Sequence, residues 1–130
     1  MTQTNTLSDS DIIEISRRCA RVLEEKKGAD TIILDLTGVN SYLDYFVITT
    51  GNSHIHCRAL ARELEKFFYT QGLRQRNRPD HESGWILLDF NEIIVHIFTR
   101  EMREYYQLER LWGDAKKIMY DGRKQYDPHV

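Results

Sequence analysis

Residues 85–112 of the chain read WILLDFNEIIVHIFTREMREYYQLERLW. Two apolar runs, Trp85–Phe90 and Ile93–Thr99, are separated by only two polar residues, and this spacing is typical of a β-hairpin. The residues that follow predict a helix from about residue 100 to 118. Gly113 lies inside that helix and costs it about 1 kcal/mol, so the helix can break or kink there. The stretch therefore predicts a strand, a second strand and a helix in immediate succession.

The sequence before this stretch predicts two helices and two further strands. The first helix begins near Asp9 or Asp11, acidic residues that suit the positive end of a helix dipole, and it ends at Gly28. Strands are predicted at Thr31–Leu36 and Tyr45–Thr50, and the short connection between them favours antiparallel pairing.

A second helix is predicted between these strands and the hairpin. Asn52 or Ser53 is a suitable N-cap, and Gly72 ends the helix. Helical spacing predicts an inner side made of Ile55, Leu60, Leu64, Phe67, Phe68 and Gln71. As a crossover connection, this helix allows the strands before and after it to run parallel.

The order of these elements predicts an α/β fold in which helices pack on a mixed β-sheet. A chain of 130 residues without internal repeats is interpreted as one domain, here over residues 8–118. Residues 1–7 and 119–130 are predicted to be flexible ends.

The charge balance of the chain argues against one class of protein, the class that binds nucleic acid mainly through its phosphates. The chain has 18 basic and 20 acidic residues and a formal net charge of −2, whereas proteins that hold nucleic acid mainly through phosphates show a basic excess. The local run that contains Arg74, Arg76 and Arg78 leaves a smaller phosphate contact open.

The expected location is the cytoplasm, with no attachment to a membrane. No apolar run approaches the roughly 18 residues that cross a bilayer, and the N-terminus lacks the features of a targeting signal. Cys19 and Cys57 have neither disulfide nor metal-site spacing and are expected to be reduced thiols.

The turn Gly51-Asn52-Ser53 is a candidate nucleotide site. A strand-to-helix turn can offer backbone N–H groups to a phosphate, and nucleotidyltransferases open a helix with a Gly-Ser pair. Those enzymes also carry two acidic residues one position apart on a following strand, which hold a metal ion. Asp35 and Asp89 each stand alone on their strands, so this catalytic apparatus is missing and a plain capping turn is favoured.

Histidines near the second helix offer little chemistry. His54, His56 and Cys57 are close in sequence, but residues one and two positions apart point in different directions on a helix. We therefore predict no metal ion and no cofactor. His96 alternates with apolar residues on a predicted strand, either on its less buried face or as a hydrogen-bonded core residue, and catalysis is the least favoured role.

The predicted last helix carries more apolar surface than a sheet can cover. On a projection of about 100° per residue, one narrow polar face holds Arg103, Gln107, Arg110 and Asp114. Most of the remainder is apolar or aromatic and holds Met102, Tyr105, Tyr106, Leu108, Leu111, Trp112 and Ala115. A helix on a sheet buries a stripe a little over about 100° wide, so part of this surface is predicted to bind another protein. Glu109 lies amid the apolar residues, either paired inside the fold or available to a basic partner.

Seven blocks of the sequence form a pattern typical of one family. They are Ala29-Asp30, Ile33 to Leu36, Asp44 to Ile48, Thr50 to Ser53, Gly84 to Asp89, Ile94 to Phe98 and Glu101 to Trp112. The last block, with its Tyr-Tyr-x-Leu-Glu-x-Leu-Trp pattern, is the most specific. On these blocks the chain resembles the Iojap family of ribosomal silencing factors (RsfS) over about residues 8–118.

The resemblance implies an α/β fold of nucleotidyltransferase-like topology without the catalytic residues. It implies binding to the large ribosomal subunit through that subunit's fourteenth protein. This contact sterically blocks association with the small subunit and represses translation when nutrients are short. Members of the family often occur as homodimers, and organellar relatives are linked to large-subunit assembly.

We therefore expect a ribosome-binding factor without catalytic activity. The predicted partner-binding residues are Trp85, Asp89, Tyr105, Tyr106, Glu109 and Trp112. The aromatic residues would serve as anchors and the carboxylates as partners of basic groups. Arg74, Arg76 and Arg78 are candidates for a minor contact with ribosomal RNA. The alternatives are a nucleotide-binding or nucleotidyltransferase enzyme and a large-subunit assembly factor.

Overall fold

The structure, a computed structural model, describes residues 7–120. The elements are α1 (Asp9–Glu25), β1 (Ala29–Asp35), β2 (Tyr45–Gly51), α2 (His54–Thr70), β3 (Trp85–Asp89), β4 (Ile93–Thr99), α3 (Arg100–Tyr106), α4 (Leu108–Leu111) and β5 (Lys116–Lys117). The predicted α/β class is confirmed, as are the first two helices and the hairpin.

The strands form one mixed sheet in the order β3-β4-β2-β1-β5. Strand β2 is antiparallel to β1, as predicted, and parallel to β4. The expectation that β2 and β3, the strands before and after α2, run parallel is wrong. Strand β3 is antiparallel to β4, which is itself parallel to β2, and β3 lies at the edge of the sheet. Helix α2 leads to β3 at the edge of the sheet, and the hairpin then places β4 between β3 and β2.

Helices α1 and α2 close one face of the sheet. Their buried side chains pack on alternate strand residues such as Val47, Val95 and Ile97. Phe68 of α2 stacks on Phe90, with ring centroids 3.9 Å apart. Ile55, predicted on the inner side of α2, is 72% exposed instead, because Cys57, Leu60, Ala61, Leu64 and Phe68 set the buried stripe on another side of the helix.

The opposite face of the sheet is covered less completely. Its buried residues are Ile32, Leu34, Leu36, Phe46, Ile48 and Phe98. The segment from α3 to residue 115 lies over them and leaves several apolar side chains only partly buried. This half-covered face carries most of the residues predicted to bind a partner.

The single last helix predicted to residue 118 is wrong. Helix α3 ends at Gln107, whose backbone is left-handed with φ of 47°, and a short α4 follows. Lys116–Lys117 then pairs with β1 as a strand. The break therefore falls at Gln107 and not at Gly113.

A buried ion pair accounts for the position of this break. Nη2 and Nε of Arg103 lie 2.7 and 2.9 Å from Oε2 of Glu109, and both side chains are only 7% exposed. Nη1 of Arg103 donates to Oγ1 of Thr50 on β2 at 2.9 Å. In a straight helix, residues six positions apart point about 120° away from each other, so the pair needs the turn at Gln107. Arg103 thus does not belong to an exposed polar face, and Glu109 is paired inside the fold.

The chain continues to pack beyond residue 118, where the single domain was predicted to end. Tyr120 is buried against the α1 side of the core, and Nε of Arg17 donates to the carbonyl oxygen of Met119 at 2.9 Å. At the other end, Leu7 packs on the same core. The remaining residues of the two predicted flexible ends, 1–6 and 121–130, lie outside the described residues.

His96 of β4 lies buried beneath Trp85. The indole Nε1 donates to Nδ1 of His96 at 3.0 Å, and the ring of Phe46 is 4.4 Å away. Burial lowers the pKa of His96 to about 3, so the imidazole is neutral and carries its proton on Nε2. Of the roles considered for His96, the structure shows the hydrogen-bonded core residue.

Replacing Glu109 with Ala should lower the free energy of unfolding by about 3 kcal/mol or more, because Arg103 then keeps a buried charge without its carboxylate. Urea denaturation followed by circular dichroism measures the change. Glu104→Ala, at an exposed position on α3, is the control and should change stability by less than about 0.5 kcal/mol. Equal small effects of the two substitutions would contradict a structural role for the pair.

Stability should also fall as the pH drops below about 6.5, because the unfolded state binds a proton at His96 that the folded state refuses until about pH 3. His96→Gln keeps an acceptor for Trp85 and removes the titration. Relative to this variant, the wild type should lose about 4 kcal/mol between pH 7 and pH 3. If the free energy of unfolding changes with pH by the same amount in both proteins, this assignment is refuted.

Candidate functional site

The half-covered face of the sheet carries several aromatic and aliphatic side chains that are at least partly exposed. We define the aromatic face by Trp85, Ile94, Tyr105, Tyr106, Leu108 and Trp112. The rings of Trp85 and Tyr106 are 4.7 Å apart, and those of Tyr106 and Tyr105 are 5.0 Å apart. Tyr105 is 76% exposed and Tyr106 47% exposed, so large rigid groups face solvent next to one another.

Three internal contacts hold the half-buried rings of Trp85 and Trp112 in place. The hydrogen bond to His96 fixes the indole of Trp85, which also packs on Phe98 at 5.0 Å. The ring of Trp112 meets Phe46 edge-on at 6.3 Å. The orientation of the aromatic face is therefore set by the core beneath it and not by a partner.

The structure brings four of the six predicted partner-binding residues together. Trp85, Tyr105, Tyr106 and Trp112 all belong to the aromatic face, although the helical projection that suggested the last of them is invalid beyond Tyr106. Trp112 reaches this face because α4 folds back over the sheet.

The two predicted carboxylates are placed differently. Asp89 is half-buried at the far end of β3, four residues and about 13 Å from Trp85. Its Oδ1 accepts the backbone N–H of Asn91 at 2.8 Å and so supports the hairpin turn. Glu109 is buried against Arg103 and is not offered to a partner, which corrects its predicted role as an exposed contact.

The six predicted contact residues include neither Ile94 nor Leu108, although Leu108 belongs to the apolar surface predicted for the last helix. Alternation along β4 puts Ile94 on the same side as His96 and Phe98, a signal that was available in the sequence. The position of Leu108 depends on the turn at Gln107, which no local sequence signal marked.

The turn Gly51-Asn52-Ser53 is occupied by contacts within the chain. The Ser53 side chain accepts the N–H of His56 at 3.0 Å, and the N–H of Asn52 donates to Nδ1 of His56 at 2.9 Å. Nε2 of the same histidine lies 2.8 Å from the carbonyl oxygen of Lys26 at the end of α1. Two N–H groups that a phosphate would need are thus already bound, and the turn joins α2 to α1.

Two other kinds of site are not found among residues 7–120. In that range no group of three or more His, Cys, Asp and Glu side chains is arranged to hold a metal ion. The same residues include no helix with the length and apolar character needed to cross a membrane.

Comparison with known proteins gives a consistent result. Residues 9–129 match the family described as "Ribosomal silencing factor during starvation". The "Ribosomal silencing factor RsfS" of Halalkalibacterium halodurans is 31% identical over 117 residues, which cover 89% of this chain and 97% of that protein. A crystal structure of protein CV0518 from Chromobacterium violaceum superposes with a TM-score of 0.73 at 30% identity, covering 90% of this chain and 97% of that chain.

A relative with a different name shares part of this similarity. The mouse protein named "Mitochondrial assembly of ribosomal large subunit protein 1" is 30% identical over 97 residues, which cover 70% of this chain and 42% of that protein. The family match spans nearly the whole chain, and the bacterial relatives agree with it in sequence and in fold. The chain therefore belongs to the RsfS family of ribosomal silencing factors.

Proposed function

We propose that this protein binds the large ribosomal subunit in the cytoplasm through that subunit's fourteenth protein. Bound there, it blocks association with the small subunit and represses translation when nutrients are short. Membership of the silencing-factor family supports a ribosomal role. The name of the mouse relative supports the large subunit as the partner. The observation that carries the contact itself is the aromatic face.

The aromatic face has the properties of an interface centre. Trp and Tyr are the residues that most often dominate binding energy at protein interfaces, because they bring a large rigid area at a small entropy cost. Trp85, Tyr106 and Trp112 are partly exposed yet already oriented by His96, Phe98 and Phe46. A partner therefore does not have to order them on binding, and more of the contact energy appears as affinity.

Carboxylates on α3 and at the far end of β3 suit a basic ribosomal protein. Glu101 and Glu104 are exposed on α3, and Asp89 is half-buried at the end of β3. Charges at the rim of an interface mainly raise the rate of association and help to select the partner. Glu109 has no place in this contact, because it holds the fold together from within.

The proposed mechanism is steric and needs no chemical step. A protein that occupies the face where the two ribosomal subunits meet prevents their joining by volume alone. The relatives are named as silencing factors, which is a regulatory role. The competing enzyme hypothesis depends on the turn at Gly51, where the N–H of Asn52 donates to Nδ1 of His56 and the N–H of His56 donates to Oγ of Ser53.

The enzyme hypothesis makes a separate and simple prediction. If the turn were a nucleotide site, ATP with Mg²⁺ would bind the protein with a saturable heat in isothermal calorimetry. We expect no such heat, since a phosphate would have to displace His56 from the N–H of Asn52. Saturable binding that is lost in Ser53→Ala would favour the enzyme instead.

A role in assembly of the large subunit would use the same contact. The mouse relative is named for this role, and a factor bound to the large subunit can act before or after the subunit is complete. Depletion of the protein in growing cells separates the two roles. Silencing predicts normal large subunits and a failure to reduce translation on starvation, whereas an assembly role predicts incomplete large subunits.

The resemblance also implies a homodimer, and the sheet edge limits how one could form. The side chain of Ser83 contacts both the N–H and the carbonyl oxygen of Trp85, and Asn77 binds Leu87 and Asp89. The outer edge of β3 is therefore closed to a second chain. A dimer formed through the aromatic face would instead compete with the ribosome.

Tyr106→Ala should weaken binding to purified large subunits by about 30-fold, the effect of losing an interface residue worth about 2 kcal/mol. Tyr106 is half-exposed at the centre of the aromatic face, beside both Trp85 and Tyr105. Sedimentation of the protein with large subunits measures the change. Circular dichroism confirms that the variant is folded.

Ile55→Ala is the matched control, because Ile55 is equally apolar and 72% exposed but lies on α2, on the other side of the sheet. It should sediment with large subunits as the wild type does. If Tyr106→Ala also binds normally, or if both substitutions weaken binding equally, the aromatic face is not the contact.

A further inference from the structure

A segment that bends at Asn77 lies along the outer edge of β3, and we call residues 73–79 the arginine arm. The N–H of Arg76 donates to the carbonyl oxygen of Asp89 at 2.7 Å. The Asn77 side chain donates to the carbonyl oxygen of Leu87 at 2.8 Å and accepts the N–H of Asp89 at 3.0 Å. These three bonds attach the middle of the arm, at Arg76 and Asn77, to the outer edge of β3.

The arm carries three exposed positive charges. Arg74, Arg76 and Arg78 are exposed, and the residues between them are half-buried. Arg74 and Arg76 lie before a bend at Asn77, and alternate residues of an extended stretch lie on the same side, about 6.5 Å apart. Arg78 follows the bend, so the arm offers three guanidinium groups within five residues, and this side chain is the one best suited to phosphate oxygens.

The carboxylates near the arm have other partners. Glu82 pairs with Arg58 at 3.5 Å, and Glu65 faces His81 at 4.0 Å. Oδ1 of Asp80 accepts the N–H of Glu82 at 3.0 Å. Within residues 7–120, none of the three arginines of the arm takes part in an ion pair. The charge of the arm is therefore available to an anion, although the whole chain is slightly acidic.

A groove opens at the beginning of the arm. It has a volume of about 350 Å³ and is lined by Glu65, Tyr69, Gly72, Leu73, Arg74, Gln75 and Phe90. The side chain of Tyr69 is 85% exposed at this groove, and Phe90 is buried behind it. The groove is large enough for a nucleobase, and the exposed ring of Tyr69 can stack on that base.

A buried amide marks the same groove. Nε2 of Gln75 is shielded from solvent and has no hydrogen-bond partner among residues 7–120. A buried donor without a partner is costly, and nearly all such groups in proteins are satisfied. The carbonyl edge of a base bound in the groove would provide the missing acceptor.

We propose that the arginine arm and this groove form a binding site for single-stranded RNA. The three arginines bind phosphates of the strand, and one unpaired base enters the groove and stacks on Tyr69, where Gln75 binds its edge. The site adjoins the aromatic face through β3, which carries Trp85 and Asp89. The RNA site rests on the proposed function only where ribosomal RNA is taken as the natural source of the single strand.

The test uses fluorescence anisotropy of a labelled oligouridine of about ten nucleotides, a length within the range that one small domain binds. We expect saturable binding that weakens steeply with salt. Replacing Arg74, Arg76 and Arg78 together with Gln should weaken binding at least about tenfold. The same substitutions should lower the slope of log affinity against log salt by about 2, since each phosphate contact in a single strand contributes about 0.7.

The matched control removes three positive charges elsewhere. Arg18, Lys26 and Lys116 are exposed, and Lys116 lies on β5 at the opposite edge of the sheet. Replacing these three residues with Gln should have little effect on oligouridine binding. Absence of saturable binding by the wild type, or equal losses in the two triple variants, would overturn the proposal.

Tyr69 tests the groove separately from the arm. Tyr69→Ala should weaken oligouridine binding by about tenfold, and Tyr69→Phe should keep it, because the ring and not the hydroxyl stacks on the base. An unchanged affinity of Tyr69→Ala would overturn the placement of a base in the groove. Equal affinity for a double-stranded RNA of the same length would overturn the preference for single strands.

The RNA site and the proposed function fail in different ways. Tyr106→Ala should bind oligouridine normally while it loses large subunits. The triple arginine variant should bind the isolated fourteenth ribosomal protein normally while its affinity for whole subunits becomes less sensitive to salt. A triple variant with unchanged salt sensitivity on whole subunits would overturn the use of this site at the ribosome.

Discussion

The buried ion pair between Arg103 and Glu109 determines how the last third of the chain folds. It joins two residues that a straight helix would point apart, and it is anchored to β2 through Thr50. Because the pair is enclosed, each charge depends on the other for its stability. The left-handed turn at Gln107 follows from it. With the chain turned back, α4 lies over the sheet, and Lys116–Lys117 reaches β1.

The same pair determines what the protein can offer to a partner. Two long helices seal one side of the sheet, whereas on the other side a short, folded segment covers the core only in part. Trp85, Tyr106 and Trp112 fill the gap and remain partly exposed. His96 and Phe46 support these rings from below, so the surface is rigid before any partner arrives. A rigid aromatic surface suits a factor that acts by occupying a site on the ribosome.

Local sequence patterns predicted the elements well and their long-range relations less well. Hairpin spacing and helix caps gave β3, β4 and α1 with small errors at their ends, because these signals lie within a few residues. The pairing of β2 with β4 depends on contacts distant in sequence, which no local pattern encodes. The turn at Gln107 was missed for the same reason, since the buried charges that require it become partners only in the folded chain. That error also left Glu109 among the predicted contacts, whereas the structure does bring Trp85, Tyr105 and Tyr106 together on one surface.

The central claim is that the aromatic face, and not the helical side of the sheet, meets the ribosome. A structure of the protein bound to the large subunit, determined by electron cryomicroscopy, tests it most directly. The account predicts that Trp85, Tyr106 and Trp112 are buried against the fourteenth protein of the subunit, with Glu109 still paired to Arg103. A complex in which α1 and α2 face the ribosome and these three rings stay in solvent would contradict it.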